Sequence, residues 1–523
     1  MKGYLSIVLH AHLPYVRHPE HDRFLEESWL FEAITECYLP LIQEMDGWLQ
    51  DGMRTRLTMT LSPTLCAMLT DPLLQDRYNR YLDGLIALAE KEIHRTHWDR
   101  PYRELAWHYH WKLSSLRETY YAYGRNVAGA FRKFQEQGTL EIITCAATHA
   151  LLPLAATPES VRAQILTARD HYESCFGCEP RGIWLPECAY VDGVENTLQE
   201  ANIRWFTMDT HGVLHARPVP RYGVFAPVFT PNGIAAFARD LESAQQVWSR
   251  DTGYPGDPRY RDFYRDIGYD LDFDYVKPHL PSPEVRGMTG IKYHRITGPG
   301  SQKDLYDASQ ALQAANDHAD HFLGARIKQT EHLSSLMDRP PIVLSPYDAE
   351  LFGHWWYEGP QFLNLLIRKL YHDQDVIELI SPGDYLQRQP TNQVVKPSPS
   401  SWGEEGYFKL WLNETNEWIY VHLGVAEERM SQLAKAHPHP GDLERRALNQ
   451  AARELLLAQA SDWPFIMRTG TSPEYAKRRV KDHLLRFIAL HEMLTTTRID
   501  ERWLAEVEWK DNLFPMVDFR NWA

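Results

Sequence analysis

A short apolar run followed by a longer helical stretch recurs along most of this chain, and that alternation constrains its fold more than any other feature. The runs at 5–9, 57–61, 140–144, 182–185, 204–208, 342–345 and 376–380 read as strands, and 26–48, 102–137, 158–175 and 304–337 read as helical. Strands that alternate with helices predict a parallel sheet with helical crossovers. About seven such strands, none followed by Gly-x-Gly-x-x-Gly or a phosphate-binding loop, fit an α/β barrel better than a nucleotide-binding sheet. Between 218 and 283 the alternation dissolves into Pro, Gly and aromatic residues. Beyond Pro397-Ser398-Pro399-Ser400-Ser401 the chain turns helix-rich, at 425–435, 443–461 and 472–495, as a separate helical domain would.

Length and charge narrow the function. A chain of 523 residues exceeds one ordinary core, which predicts two or three domains. A formal charge of −15 argues against a nucleic-acid partner, because phosphate backbones call for clustered cations. No apolar stretch is long enough for a membrane span and no secretory leader is legible, so a cytoplasmic protein is expected. Six cysteines read as reduced thiols; the lone Cys175-x-x-Cys178 pair lacks a second pair to complete a zinc site. The unusual figure is 17 Trp, 27 Tyr and 19 Phe, or 12% aromatic. Flat apolar faces with a polar edge suit stacking on sugar rings.

Side chains that do chemistry in a parallel barrel sit at the C-terminal strand ends. Reading past each strand gives His10-Ala11-His12, whose period of two points both imidazoles to one face. It also gives Thr148-His149, Pro186-Glu187-Cys188, Asp209-Thr210-His211 and Tyr347-Asp348-Ala349-Glu350. Two chemistries fit this rim. His10, His12 and His149 with a carboxylate resemble the ligand set of a metal-dependent hydrolase. Alternatively, Glu187 and Asp348 form a carboxylate pair for glycosidic cleavage, with the histidines on sugar hydroxyls. The aromatic load favours the second, and spacing alone leaves both open.

The segments His10-Ala11-His12-Leu13-Pro14, Ile183-Trp184-Leu185-Pro186-Glu187-Cys188-Ala189-Tyr190 and Asp348-Ala349-Glu350-Leu351-Phe352-Gly353-His354-Trp355-Trp356 resemble signature segments of glycoside hydrolase family 57. The stretch 141–153, Ser401-Trp402-Gly403 through Trp411-Leu412-Asn413, and Ser461-Asp462-Trp463-Pro464-Phe465 resemble family segments too, so the likeness spans nearly the whole chain. It is strongest to the family's α-1,4-glucan branching enzymes. The resemblance implies an α/β fold: an incomplete (β/α)7 TIM-like barrel at 1–181 and 232–403, a small inserted domain at 182–231, and a C-terminal α-helical domain at 404–523. It implies a retaining mechanism without metal or other cofactor. Glu187 would be the nucleophile and Asp348 the general acid/base. His10, His12, His149, Arg261, Trp402, Trp411 and Asp462 would contact substrate, with Trp402 and Trp411 as stacking surfaces for the acceptor. The stretch 231–241 corresponds to a loop that overhangs the family's active site; here it holds Phe237 and no Tyr.

The expected activity is therefore branching of amylose-like chains by a monomer or small homo-oligomer. Its alternatives are an α-amylase or 4-α-glucanotransferase of the same family and, from another class, the metal-dependent hydrolase.

Overall fold

The structure, a computed structural model, describes every residue except Arg250, Asp251, Pro299 and Ser301. Nine strands are present among the described residues: β1 Gly3–Ala11, β2 Leu57–Leu61, β3 Leu140–Ile143, β4 Gly182–Trp184, β5 Trp205–Met208, β6 Val228–Phe229, β7 Ala235–Ala238, β8 Ile342–Asp348 and β9 Ile377–Leu379. Parallel pairing joins β3 to β2, β2 to β1 and β1 to β8, and separately β4 to β5 and β5 to β7. Two narrow joints turn these sheets into one ring. Thr144 bridges Ile183 in parallel, and the Asp240 amide donates to the Leu344 carbonyl at 2.9 Å. The ring order is thus β1-β2-β3-β4-β5-β7-β8.

Every residue of β1 is buried, as in a parallel strand covered on both faces. Val8, Ile143, Trp184, Trp205, Phe237 and Leu344 pack in one cluster, making the interior a core, not a pore. Gly182 is required here, since a Cβ on it would lie 2.3 Å from the Trp205 ring. Cap-then-proline pairs start several covering helices: Ser62-Pro63, Asp71-Pro72, Thr157-Pro158 and Ser381-Pro382. In each, the cap side chain accepts a first-turn amide while proline occupies a position that needs no N–H.

Three expectations change. The stretch 182–231, read as an inserted unit, supplies β4 and β5 to the ring. The stretch 231–241, expected as an overhanging loop, contains β7, and Phe237 is buried edge-on to Trp205. The run at 376–380 does form β9, but it pairs with the start of β1, Gly3 opposite Ile377, and β7 takes the seventh place in the ring. The sequence Ala235-Ala236-Phe237-Ala238 has little β-branched character, so its strand comes from its neighbours rather than from propensity.

The C-terminal helices Trp418–Ala436, Asp442–Ala458, Asp462–Thr469, Pro473–Thr495 and Glu501–Lys510 form the helical domain. It is pinned to the barrel beyond β3 by polar contacts. The Thr148 hydroxyl donates to the Leu456 carbonyl, the Ser461 amide to the His149 carbonyl at 3.0 Å, and the amides of Ala156 and Thr157 to Glu427 at 2.8 and 3.0 Å. No described helix is long and apolar enough to cross a membrane.

Candidate active site

The end of β1 carries His10 and His12, and the expected common face is realised: their rings stand 5.9 Å apart, 25° from parallel. His149, beyond β3, stacks on His12 at 3.8 Å, and Trp184 stacks on His10 at 4.5 Å. Hydrogen bonds fix the tautomers. Ser461 Oγ donates to Glu187 Oε1 at 3.3 Å, and an ionised carboxylate only accepts. The serine oxygen therefore accepts from His149 Nδ1 at 2.8 Å, and His149 Nε2 accepts from His10 Nε2 at 3.0 Å. The chain of donors runs one way, from His10 through His149 and Ser461 to Glu187. Burial, reinforced by neighbouring imidazoles, holds the pKa of both His10 and His149 well below the usual histidine range, so both rings are neutral.

Glu187 follows β4 on a tight turn, with φ of 60° at Glu187 and 49° at Cys188; His149 has φ of 58°. Such backbone costs about 1–3 kcal/mol per residue and persists only where surroundings impose it. They do so here: the Trp402 amide donates to the Glu187 carbonyl at 3.1 Å, and the indole Nε1 to Glu187 Oε2 at 2.8 Å. Burial raises the Glu187 carboxyl to about 7, against the pull of the Trp402 donor.

Asp348 is the last residue of β8, paired in register with His10. Burial first, then the carboxylates of Glu350 and Glu187, push it well above the ordinary aspartate range. Both carboxyls are therefore raised: the rise at Glu187 is opposed by its indole and hydroxyl donors, and the rise at Asp348 is reinforced by neighbouring carboxylates. That contrast in surroundings is the kind a nucleophile and a general acid require.

A π turn, Ile34–Tyr38, lies between helices Glu27–Ala33 and Leu39–Gln50 and grips the segment after Asp348. The Tyr38 hydroxyl donates to Glu350, Cys37 Sγ to the Ala349 carbonyl at 3.0 Å, and His354 Nδ1 meets Glu36 Oε2 at 2.5 Å. Gly353, at φ +117°, lets the chain pass so close that a Cβ would lie 1.8 Å from the Glu36 carbonyl oxygen. π turns cluster at functional sites. In the sequence this region reads as one uninterrupted helix.

The structure gathers His10, His12, His149, Glu187, Asp348, Trp402 and Asp462. Asp462 opens its helix without capping it; instead both its oxygens lie 3.1 Å from His12 Nε2, while His12 Nδ1 meets Ser62 at 2.9 Å. Two roles change. Trp402, expected as a stacking surface, donates its indole N–H to the Glu187 carboxylate. Trp411, 1% exposed and packed with Leu151 and Ala189, has no face open to a sugar. Arg261 is not among the partners of these groups: its guanidinium lies 3.8 Å over Tyr357, with Nη1 on the Gly290 carbonyl at 3.2 Å. Missed by sequence reasoning were Ser461, beside Asp462 in the same motif, and Tyr38, which carried no signal. His211 and Asp209 support the site from outside. His211 Nε2 donates to the Gly406 carbonyl at 2.7 Å, on the loop that carries Trp402, and Nδ1 meets Asp209 at 3.1 Å.

His12, His149 and Asp462 lie close enough together to hold a metal ion, as do His10, Cys145 and His149. Both nitrogens of His12 and of His149 are already engaged in hydrogen bonds, and burial keeps the Cys145 thiol protonated. A cation would have to displace these bonds, so the arrangement does not favour the metal-dependent hydrolase.

Residues 6–398 match the family model of glycosyl hydrolase family 57, and residues 422–522 match that of the C-terminal domain of 1,4-alpha-glucan branching enzymes. A 1,4-alpha-glucan branching enzyme of Thermococcus kodakarensis is 33% identical, over 99% of this chain and 78% of that protein. Among solved structures, the alpha-amylase AmyC of Thermotoga maritima superposes with a TM-score of 0.94 at 44% identity, covering 100% of this chain and 99% of that one. A family 57 branching enzyme of Pyrococcus horikoshii gives 0.90 at 34% identity, covering 100% and 97%. With its fold, its carboxylate pair and nearly four hundred matched residues in agreement, this chain belongs to glycosyl hydrolase family 57.

Proposed function

We propose that the protein is a 1,4-α-glucan branching enzyme working by double displacement. Glu187 attacks the anomeric carbon as Asp348 gives its proton to the departing glycosidic oxygen, leaving a glycosyl ester on Glu187. Asp348, now a base, takes the proton of an acceptor 6-hydroxyl, whose oxygen displaces Glu187 and forms the α-1,6 branch. Trp402 and Ser461 stabilise the carboxylate that attacks first and leaves last. The observation that carries branching is that the domain matching branching enzymes supplies Ser461 and Asp462 to the site itself. Under this reading residues 404–523 form a domain that covers the cleft, the partner is an α-1,4-glucan, and no cofactor takes part. The reaction belongs to glycogen-type glucan synthesis in the cytoplasm, carried out by a monomer or small homo-oligomer.

Two observations favour hydrolysis: the 44% identity to an amylase, and β7 in place of an overhanging loop at 231–241. Product analysis on amylose separates the two. New α-1,6 linkages with few new reducing ends are expected. Reducing ends that rise without branches would establish an amylase, and redistributed linear chains with neither would establish 4-α-glucanotransfer.

A further inference from the structure

Four tryptophans lead from the nucleophile toward solvent. Trp184 is fully buried on His10. Trp402 meets it edge-on, with ring centres 5.1 Å apart. Trp248, at the end of helix Leu241–Trp248, is half-buried and meets Trp402 at 6.3 Å. Trp355 meets Trp248 at 6.3 Å, inclined by 45°, and is 45% exposed. The rings follow one another from the buried centre to the surface without a break, so the outer pair carries the aromatic run out to solvent.

Trp355 is exposed but held. Its amide donates to the Glu350 carbonyl at 3.2 Å, the preceding His354 is tied to Glu36 at 2.5 Å, and the following Trp356 is buried at 1% exposure. A ring displayed on so constrained a backbone loses little freedom when a ligand stacks on it. Trp355 also shares its loop with Asp348. The general acid must stand beside the glycosidic oxygen it protonates, so this loop borders the leaving-group side of the scissile bond.

We propose that Trp248 and Trp355 form an outer subsite that binds the α-1,4-glucan chain on the leaving-group side, where the acceptor also enters. The subsite rests on the α-glucan reading of the site and holds equally for branching and for hydrolysis. Sugar rings present apolar C–H faces to the indoles while their hydroxyls stay in water.

The test uses the full-length E187Q protein, which binds without turnover, and measures calorimetric affinity for maltose and maltoheptaose. Adding W355A is expected to weaken maltoheptaose by about tenfold, the loss of one stacked ring, and maltose by less than about threefold. W355F in the same background should recover most of the affinity, which a purely structural role of the indole would not predict. Equal weakening of both sugars, or no change in either, would overturn the subsite. Failure of E187Q itself to bind maltoheptaose would overturn the α-glucan reading, and the subsite with it.

Discussion

In the proposed mechanism Glu187 and Asp348 take opposite tasks with the same functional group, and their surroundings differ to match. Glu187 sits in left-handed backbone on a turn and receives donors from outside the barrel wall: an indole from the 401–407 loop and a hydroxyl from the helical domain. Asp348 ends a regular strand, and among the described residues no side chain donates to it; its neighbours in charge are Glu350 and Glu187. Both carboxyls are desolvated, which by itself favours the neutral acid. Donors at Glu187 oppose the rise that burial imposes, whereas the carboxylates beside Asp348 add to it. The lesson is that burial raises both, and the sorting of roles is left to a few polar contacts.

The largest expected effect tests the roles themselves. E187Q should lower turnover by roughly 10⁴-fold or more on any α-glucoside, because no ester can form. D348N should be as damaging on amylose yet far milder on an aryl glucoside whose leaving group needs no proton. Steady-state rates on both substrates check this, and equal losses for D348N would remove Asp348 from the acid role.

Next comes pH. In the proposed mechanism Glu187 acts as the anion with its pKa raised to about 7, so kcat/KM should fall as pH drops through that value, and loss of the Asp348 proton, held above the ordinary aspartate range, should give the alkaline limb. W402F removes a donor that stabilises the anion. It should move the acidic limb upward and cost roughly 10–100-fold in kcat/KM. A limb that stays in place would mean that the indole does not tune the carboxylate.

The smallest effect sharpens the comparison. H211A should cost only several-fold, because it loosens the loop behind Trp402 and touches no substrate. Combined with W402F it should add nothing. Additive losses in that double-mutant cycle would show that His211 acts by another route.

Much of this molecule is legible in the sequence because the relevant interactions are local. Burial on both faces makes the runs at 5–9 and 342–344 mostly apolar, the cap-then-proline pairs mark helix starts, and the period of two puts His10 and His12 on one face. Glu187 and Asp348 lie at strand ends, where barrel chemistry collects. Tertiary structure alone decided the rest. β7 has no strand-like sequence and exists because β5 offers it an edge. The π turn at 34–38 is one extra residue per turn in an ordinary helical sequence, fixed by its grip on Glu350 and His354. Trp402 and Trp411, similar in sequence context, part ways because one indole N–H reaches a carboxylate and the other ring is enclosed. Sequence specifies what each segment buries; which side chains from distant segments then meet, and so which carboxyl gains a donor, is settled only when the ring closes and the helical domain docks on its rim.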